Sequence, residues 1–491
     1  MINHLPFFVV GIPLFTALFM GALNHKFPNI VKWLGGMGIS AGGYFAIQLF
    51  NHVNKNGAVE YFFGNWPAPI GIAYNVDHLN ALMILMIYVI SFLAFIYSLK
   101  SVPIEIPLNK QGHYYTLYFL LITGLVGITI TGDAFNLYVL FEICALSAYA
   151  LLALGGRKSL LATFNYLMVG SIGACFYLIG VAYLFIKTGT LNMAHLFELM
   201  PMIYFAKSVL IAFIFVNIGL FIKMALFPLH SWMPNVYSRA PISTTCLMAP
   251  LGTKLSIYIL MRFYFHVFSP EYVYHVLNIQ TLMVWVATIS IIAGSLFAIF
   301  HSSFLKTVTF IVVAEIGYIV GGLWIGHPDA IIGSIFHIVA DSLMTLSLFM
   351  IAGIILFLLK SDKLSNFNHV FKNLPYTTVG LIVVFASIIG IPPTSGFFSK
   401  FYLIKGAFQM GHYMFIVALL IASLTALFLF FRLFETSFYN NDSTDTQLPV
   451  KKEPVLLVLP LLVTSGLIIA LGLTFSFWLQ FIMNIIPVGL R

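Results

Sequence analysis

The stretch Lys223–Pro234, KMALFPLHSWMP, sets a lysine in an apolar helix and follows it five residues later with a proline. Ahead of it, Val209 to Leu226 is almost wholly apolar. At the centre of a membrane helix a free ammonium costs about 2.5–3.5 kcal/mol on insertion scales, so Lys223 requires a compensating group. Pro228 has no N–H to return to the Met224 carbonyl, and its ring crowds that turn; the helix must break there and leave backbone oxygen open to water or an ion. A simple kink with a snorkelling lysine is the alternative, but Lys223 lies too far from the helix ends to reach the surface.

The rest of the chain agrees with a bilayer. Of 491 residues, 61% are hydrophobic and 8% charged, where a soluble domain carries about 25% charge. The net charge of +8 is spread as single Lys and Arg residues between apolar blocks, the pattern of topology signals rather than of a nucleic-acid surface. Cys144, Cys175 and Cys246 stand alone in apolar segments, without the paired spacing of an iron–sulfur, zinc or haem site, and read as packing residues. The N-terminal MINHLPFFVV lacks a basic leader and a small-residue cleavage site, so it is expected to be a retained first span.

Blocks long enough to cross a bilayer, about 20 residues as helix, run near 5–23, 30–51, 78–99, 114–131, 134–153, 163–186, 207–238, 243–267, 279–300, 304–325, 329–359, 375–410, 412–434 and 455–486. The expectation is an all-α integral membrane protein of about fourteen helices. Blocks 207–238 and 375–410 exceed a single span and carry internal proline, Pro228 in one and Pro392 with Pro393 in the other, so helices seven and twelve are expected to be broken. The most polar stretch, Asn440 to Glu453, is too short for a soluble domain.

Odd-numbered loops hold Lys26, Lys32, Lys100, Lys110, Arg157, Lys158, Arg239, Lys306, Lys360, Lys363, Lys372, Lys451 and Lys452; even-numbered loops hold little beyond Lys55, Lys187 and Lys207. That bias puts the odd loops in the cytoplasm and both termini outside, as an even helix count requires.

Ionisable residues inside spans are functional candidates. Glu142 falls in helix five, Lys223 in helix seven, Lys254 in helix eight, Glu315 in helix ten, His337 and Asp341 in helix eleven, and Lys400 in helix twelve, with His230 just after the first break. Each alone has a structural ion pair as its sober explanation; together they exceed what packing requires. Glu315 lies 173 residues after Glu142, Lys400 177 after Lys223, and Arg432 178 after Lys254. Five helices separate each pair, and an odd number per unit inverts the second unit, the architecture of transporters with broken helices at the midplane.

Several of these segments resemble a known family. GDAFNLYVLFE (Gly132–Glu142), KMALFPLHSWMP, TKLSIY (Thr253–Tyr258), LKTVTFIVVAEIGYI (Leu305–Ile319) and GIPPTSGFFSKF (Gly390–Phe401) are similar to the antiporter-like subunits of respiratory complex I, membrane-bound hydrogenases and Mrp-type sodium/proton antiporters, over roughly residues 75 to 435. GDAFNLYVLFEI and GTLNMAHL (Gly189–Leu196) look most like the Mrp D subunit and its hydrogenase counterpart. The resemblance implies a proton-translocating subunit, or a coupled sodium/proton one, of a multisubunit membrane complex in a prokaryotic cell membrane, with further antiporter-like subunits among its partners. It also implies helices 1–3 in residues 1–113, a first half-channel of helices 4–8 in 114–267, a second of helices 9–13 in 279–434, and a C-terminal loop with helix 14 in 435–491. By the same resemblance Glu142 and Lys223 match a glutamate–lysine pair, Lys254 a central lysine joining the halves, and Lys400 the terminal lysine; Glu315, Asp341, His337 and His230 are secondary relay candidates.

Helix eleven departs from the pattern. Mrp-type D subunits carry His-Asp followed by a lysine, whereas this chain reads ADSLMTLSLF, with Ala340, Asp341 and Thr345, and proton passage toward Lys400 falls to Asp341, His337 and water. The loop SRAPISTTC carries one proline where many relatives show two. Other readings stay open: an ion-pumping subunit that redox chemistry in its partners drives, a structural subunit, and a stand-alone transporter of a small solute. There is no P-loop, no GxGxxG after a strand and no haem or metal pattern, so no cofactor or metal site of its own is expected.

Overall fold

The computed structural model describes residues 4–24, 28–68, 70–364, 367, 370–438 and 452–490. Lys26, Lys451 and most of the polar stretch Asn440–Glu453 lie outside the described residues. The chain folds as α1 Leu5–Leu23, α2 Pro28–Asn56, the strands β1 Val59–Phe62 and β2 Ala73–Val76, α3 His78–Glu105, α4 Leu108–Ile130, α5 Ala134–Leu152, α6 Arg157–Thr188, α7 Met193–Leu199, α8 Lys207–Met224, α9 Trp232–Tyr237 and α10 Ile242–His266. It continues through α11 Gln280–Phe300, α12 Phe304–Ile325, α13 Pro328–Leu359, α14 Val370–Asn373, α15 Pro375–Ile389, α16 Ser395–Gln409, α17 Tyr413–Phe438, α18 Val455–Leu473 and α19 Phe475–Met483.

Among the described residues twelve helices are long and apolar enough to cross a membrane. The fourteen blocks read from the sequence add α2, whose glycines and terminal polar residues dilute its hydropathy, and the broken pair α15–α16, neither half of which is long enough alone. Large apolar side chains point outward, among them Trp33, Phe205 and Phe300, as they do where the solvent is lipid. The sequence reading missed the antiparallel hairpin, which pairs Val59 with Val76 and Phe62 with Ala73 between α2 and α3.

Loop contacts fall into two sets. At one face Glu105, ending α3, accepts from the Ser243 N–H and hydroxyl at the start of α10, and Glu453 caps the start of α15 through Tyr376 and Thr377. At the other, Gly132 bonds the Ala73 carbonyl, Asp133 bridges Asn192, Arg262 meets Asp77, and Lys405 meets Asp329. The first set joins odd loops and the second even ones, so α10 and the broken α15–α16 run from one face to the other. Between the faces α12 is buried along its length and α10 almost so, while α6, α11 and α17 keep a lipid-facing side.

Both broken helices form where proline predicts. α8 ends at Met224, its cap Ala225 takes the left-handed conformation at φ 60°, and Pro228 follows in the turn before α9. α15 ends at Ile389 with Gly390 at φ 94°, where the absence of a Cβ makes that conformation cheap, and Pro392–Pro393 lead into α16.

Candidate functional site

Lys223 lies in the last turn of α8 and is 5% exposed. Its Nζ sits 4.4 Å from the centroid of the Phe141 ring, and it donates to the Tyr149 hydroxyl at 3.5 Å. The glutamate expected as its contact partner does not touch it: among the described residues no ion pair joins Glu142 to Lys223. Phe141 and Glu142 are adjacent on α5, and the 100° step between neighbours turns one onto the lysine and the other toward the helix edge. Glu142 is half-buried at the border of a face that exposes Phe135, Val139, Ile143 and Leu146.

At the break beside Lys223 a side chain bonds the backbone. With the Leu226 N–H turned to Phe221, the Ile222 carbonyl keeps a 3.3 Å bond from the Ala225 N–H, and the Trp232 indole also donates to it at 3.0 Å. Tyr166 stacks on that indole at 4.0 Å and 11°. From Lys223 toward α10 the route is therefore aromatic, passing Tyr149, Tyr166, Trp232 and Tyr237 with ring separations of 4.9, 4.0 and 6.0 Å.

The second half is wired differently. Lys254, fully buried in α10, pairs with Asp341 Oδ2 at 2.8 Å and donates to Thr345 Oγ1 at 3.3 Å; the Thr345 hydroxyl in turn donates to Asp341 Oδ1 at 2.8 Å. Thr345, which stands where the resembling subunits carry a lysine, thus completes the pair instead of adding a second charge. One turn earlier on the same face of α13, His337 Nε2 meets Glu315 Oε2 at 2.5 Å and its Nδ1 meets Ser399 Oγ at 2.8 Å. Ser399 adjoins Lys400, whose Nζ donates to the Ile388 carbonyl, contacts Ser423 Oγ at 3.0 Å and stands 5.1 Å from the Tyr318 centroid. Ile388 has no backbone donor because its helical partner is Pro392. A void of about 10 Å³ lies beside Glu315, at the lower limit for one water.

The expected residues thus form two groups. In the first, Lys254 with Asp341 and His337 with Glu315 make two pairs one turn apart along α13, and Lys400 follows Ser399, the other partner of His337; in the second, Lys223 and Glu142 make no ion pair among the described residues. His230 joins neither. It lies among Phe227, Phe297 and Phe310, because the turn after Pro228 swings it toward α11 and α12. Arg432, the third member of the offset pattern, bonds the Ile299 carbonyl near the end of α11 and lies apart from the group. The sequence reading missed Ser399 and the hydroxyl role of Thr345, small polar residues that carry no charge to announce them.

Residues 131–426 match the family described as NADH:quinone oxidoreductase/Mrp antiporter, transmembrane. The chain is 35% identical to the N subunit of an NADH-quinone oxidoreductase from Desulforudis audaxviator, covering 100% of this chain and 99% of that one. It is 28% identical to the D subunit of a Na(+)/H(+) antiporter from Alkalihalophilus pseudofirmus, covering 96% and 94%. Its fold superposes with TM-score 0.89 on a chain of the Mrp complex from Dietzia sp. DQ12-45-1b, at 22% identity over 98% of this chain and 96% of that one. The motif resemblance is thereby established along the whole length: the chain is a multi-pass membrane protein and belongs to the NADH:quinone oxidoreductase/Mrp antiporter family as an antiporter-like subunit.

Proposed function

We propose that this chain carries protons across and along the bilayer, alone or in exchange for sodium, as one subunit of a multisubunit complex. The observation that carries the reading is the row Lys254, Asp341, His337, Glu315, Ser399 and Lys400, buried inside apolar helices as a Lys254–Asp341 pair and a Glu315–His337–Ser399 cluster with contacts of 2.5–2.8 Å, one helical turn apart on α13, and Lys400 next to Ser399 in the chain. Ionisable side chains are this dense inside a membrane where they relay charge.

In this reading the chain makes fourteen crossings with both termini outside, in the cell membrane of a prokaryote. Residues 114–267 and 279–434 act as the two half-channels, around breaks at Pro228 and at Pro392–Pro393. Glu142 is the movable element. When it approaches Lys223 the charged ammonium is favoured; when it withdraws, Lys223 rests on Phe141 and its proton is driven toward Lys254 and on to Asp341. The exposed apolar edge beside Glu142 suits a neighbouring membrane subunit, further antiporter-like subunits included, whose approach would move the carboxylate.

Lys223→Ala, Glu142→Ala and Lys400→Ala are each expected to abolish proton or cation transport while the complex still assembles. Transport at the normal rate by a purified complex carrying any one of them overturns the reading. A second reading, redox-driven pumping, is favoured by the 35% identity to a subunit of a quinone-reducing complex. Gentle purification separates the two: cysteine-rich electron-transfer partners support redox drive, and small membrane subunits alone support antiport.

A further inference from the structure

One face of α10 is polar in one direction only. Counting in fours from Lys254 toward the end of the helix gives Tyr258, Arg262 and His266; counting back gives Pro250, Cys246 and Ile242. Residues four apart share a helix face, so the central lysine heads a polar stripe that reaches one end of α10, while the stripe toward the other end carries no titratable group but the buried Cys246 thiol.

The polar end opens into a cavity of about 340 Å³ beneath the β1–β2 hairpin, between the start of α3, the end of α10 and α7. Three buried polar atoms of its lining, Asn75 Oδ1, Arg262 Nε and His266 Nδ1, have no hydrogen-bond partner among the described residues. The Arg262 side chain is only 9% exposed. Buried donors and acceptors are satisfied in folded proteins, and a cavity of this size, with these polar groups on an otherwise largely apolar wall, has room for ordered water beside them. Arg262 itself presents no lone cation. It grips Asp77 through two hydrogen bonds of 2.7 and 3.0 Å and donates to Asn80. Burial acts to raise the Asp77 carboxyl, but the guanidinium outweighs it and holds that carboxyl well below the usual carboxylate range. Glu60 and Glu198 add negative charge at the rim, which draws cations to the mouth.

Inward of Arg262 the polar contacts continue. Its guanidinium stands 5.6 Å from the Tyr258 centroid, and the Tyr258 hydroxyl donates to the Thr129 carbonyl at 2.7 Å and takes the Asn80 amide at 3.2 Å. One turn further is Lys254.

We infer that the stripe Tyr258–Arg262–His266 and the cavity under the hairpin form a one-sided water route connecting Lys254 to the face where α3 begins and α10 ends, so that protons exchange with the central lysine at that face without passing Lys223 or Lys400. The inference rests on the reading of Lys254 as part of the proton file.

The test uses the full chain in its native complex, with Cys144→Ala and Cys175→Ala and with Cys246 kept as the probe of the opposite half of α10. The thiol introduced by Tyr258→Cys is expected to react with a membrane-impermeant, positively charged methanethiosulfonate reagent added from one face, and Cys246 to stay unmodified from either. An introduced thiol that is inert from both faces, or labelled equally from both, overturns the route. A variant that does not assemble is replaced by Tyr258→Phe. That variant is expected to slow transport about tenfold, on the scale of one buried hydrogen bond, and an unchanged rate overturns the route. Transport retained in Lys254→Ala would instead sink the proton file, leaving one-sided labelling of the introduced thiol as evidence for the water route by itself.

Discussion

The two broken helices place their lysines on opposite sides of the break, Lys223 in the last turn before it and Lys400 in the helix after it, and the surroundings differ as well. Lys223 rests on the face of Phe141 with one long bond to Tyr149, and the way onward is lined by rings. Lys400 is held by a freed carbonyl and a serine, beside a histidine that bonds both Ser399 and Glu315. An aromatic face attracts a cation without a fixed direction, whereas hydrogen bonds fix donor and acceptor. The first lysine is therefore loosely held and free to change partners, and the second is held in a fixed direction.

The largest effect should come from the joint between them. Asp341→Leu leaves Lys254 buried without its partner, which costs about 3–5 kcal/mol; thermal unfolding of the complex should shift sharply downward and transport should cease. Adding Lys254→Met should restore stability but not transport. A double variant as unstable as the single one would mean that the pair does not hold the halves together by charge compensation.

Next is Ser399→Ala. It leaves one nitrogen of His337 unpartnered at about 1–3 kcal/mol and should slow transport several-fold, while Tyr149→Phe, which removes only the 3.5 Å contact in the first half, should do less. Equal losses measured side by side would erase the contrast. Phe141→Leu takes away the ring under Lys223 and is expected to lower stability by about 0.5–2 kcal/mol, read from melting in detergent. The smallest change is Thr345→Val, worth about 1 kcal/mol for a hydroxyl lost from the Lys254–Asp341 pair. A larger loss would make Thr345 a relay member and not only a support.

Charge was the legible signal. A lysine, an aspartate or a glutamate in an apolar run is visible in the sequence, as is a proline where a helix would otherwise continue, and these marked the breaks and the buried charged residues, though not that Lys254 pairs with Asp341. What failed depended on rotation about a helix axis. Glu142 and Phe141 are one residue apart, and which of them faces Lys223 is decided by how α5 sits against its neighbours. His230 lies past a turn whose direction no periodicity specifies. Ser399 and Thr345 are small hydroxyl residues of the kind that also satisfy their own helices, and only tertiary placement gives them His337 and Asp341. The polar stripe of α10 was readable as a spacing of four, but its meaning needed Asp77 from the start of α3.

The carbonyls beside the two breaks have a bearing on what can travel. A metal cation that sheds its hydration shell needs a ring of oxygens to replace it. Here the Lys400 ammonium takes the Ile388 carbonyl that Pro392 leaves without its helical donor, and at the first break the Trp232 indole adds to the Ala225 N–H on the Ile222 carbonyl. Protein donors placed on backbone oxygen at both breaks accord with the proposed proton relay, whose passenger hops between side chains and carries no coordination sphere.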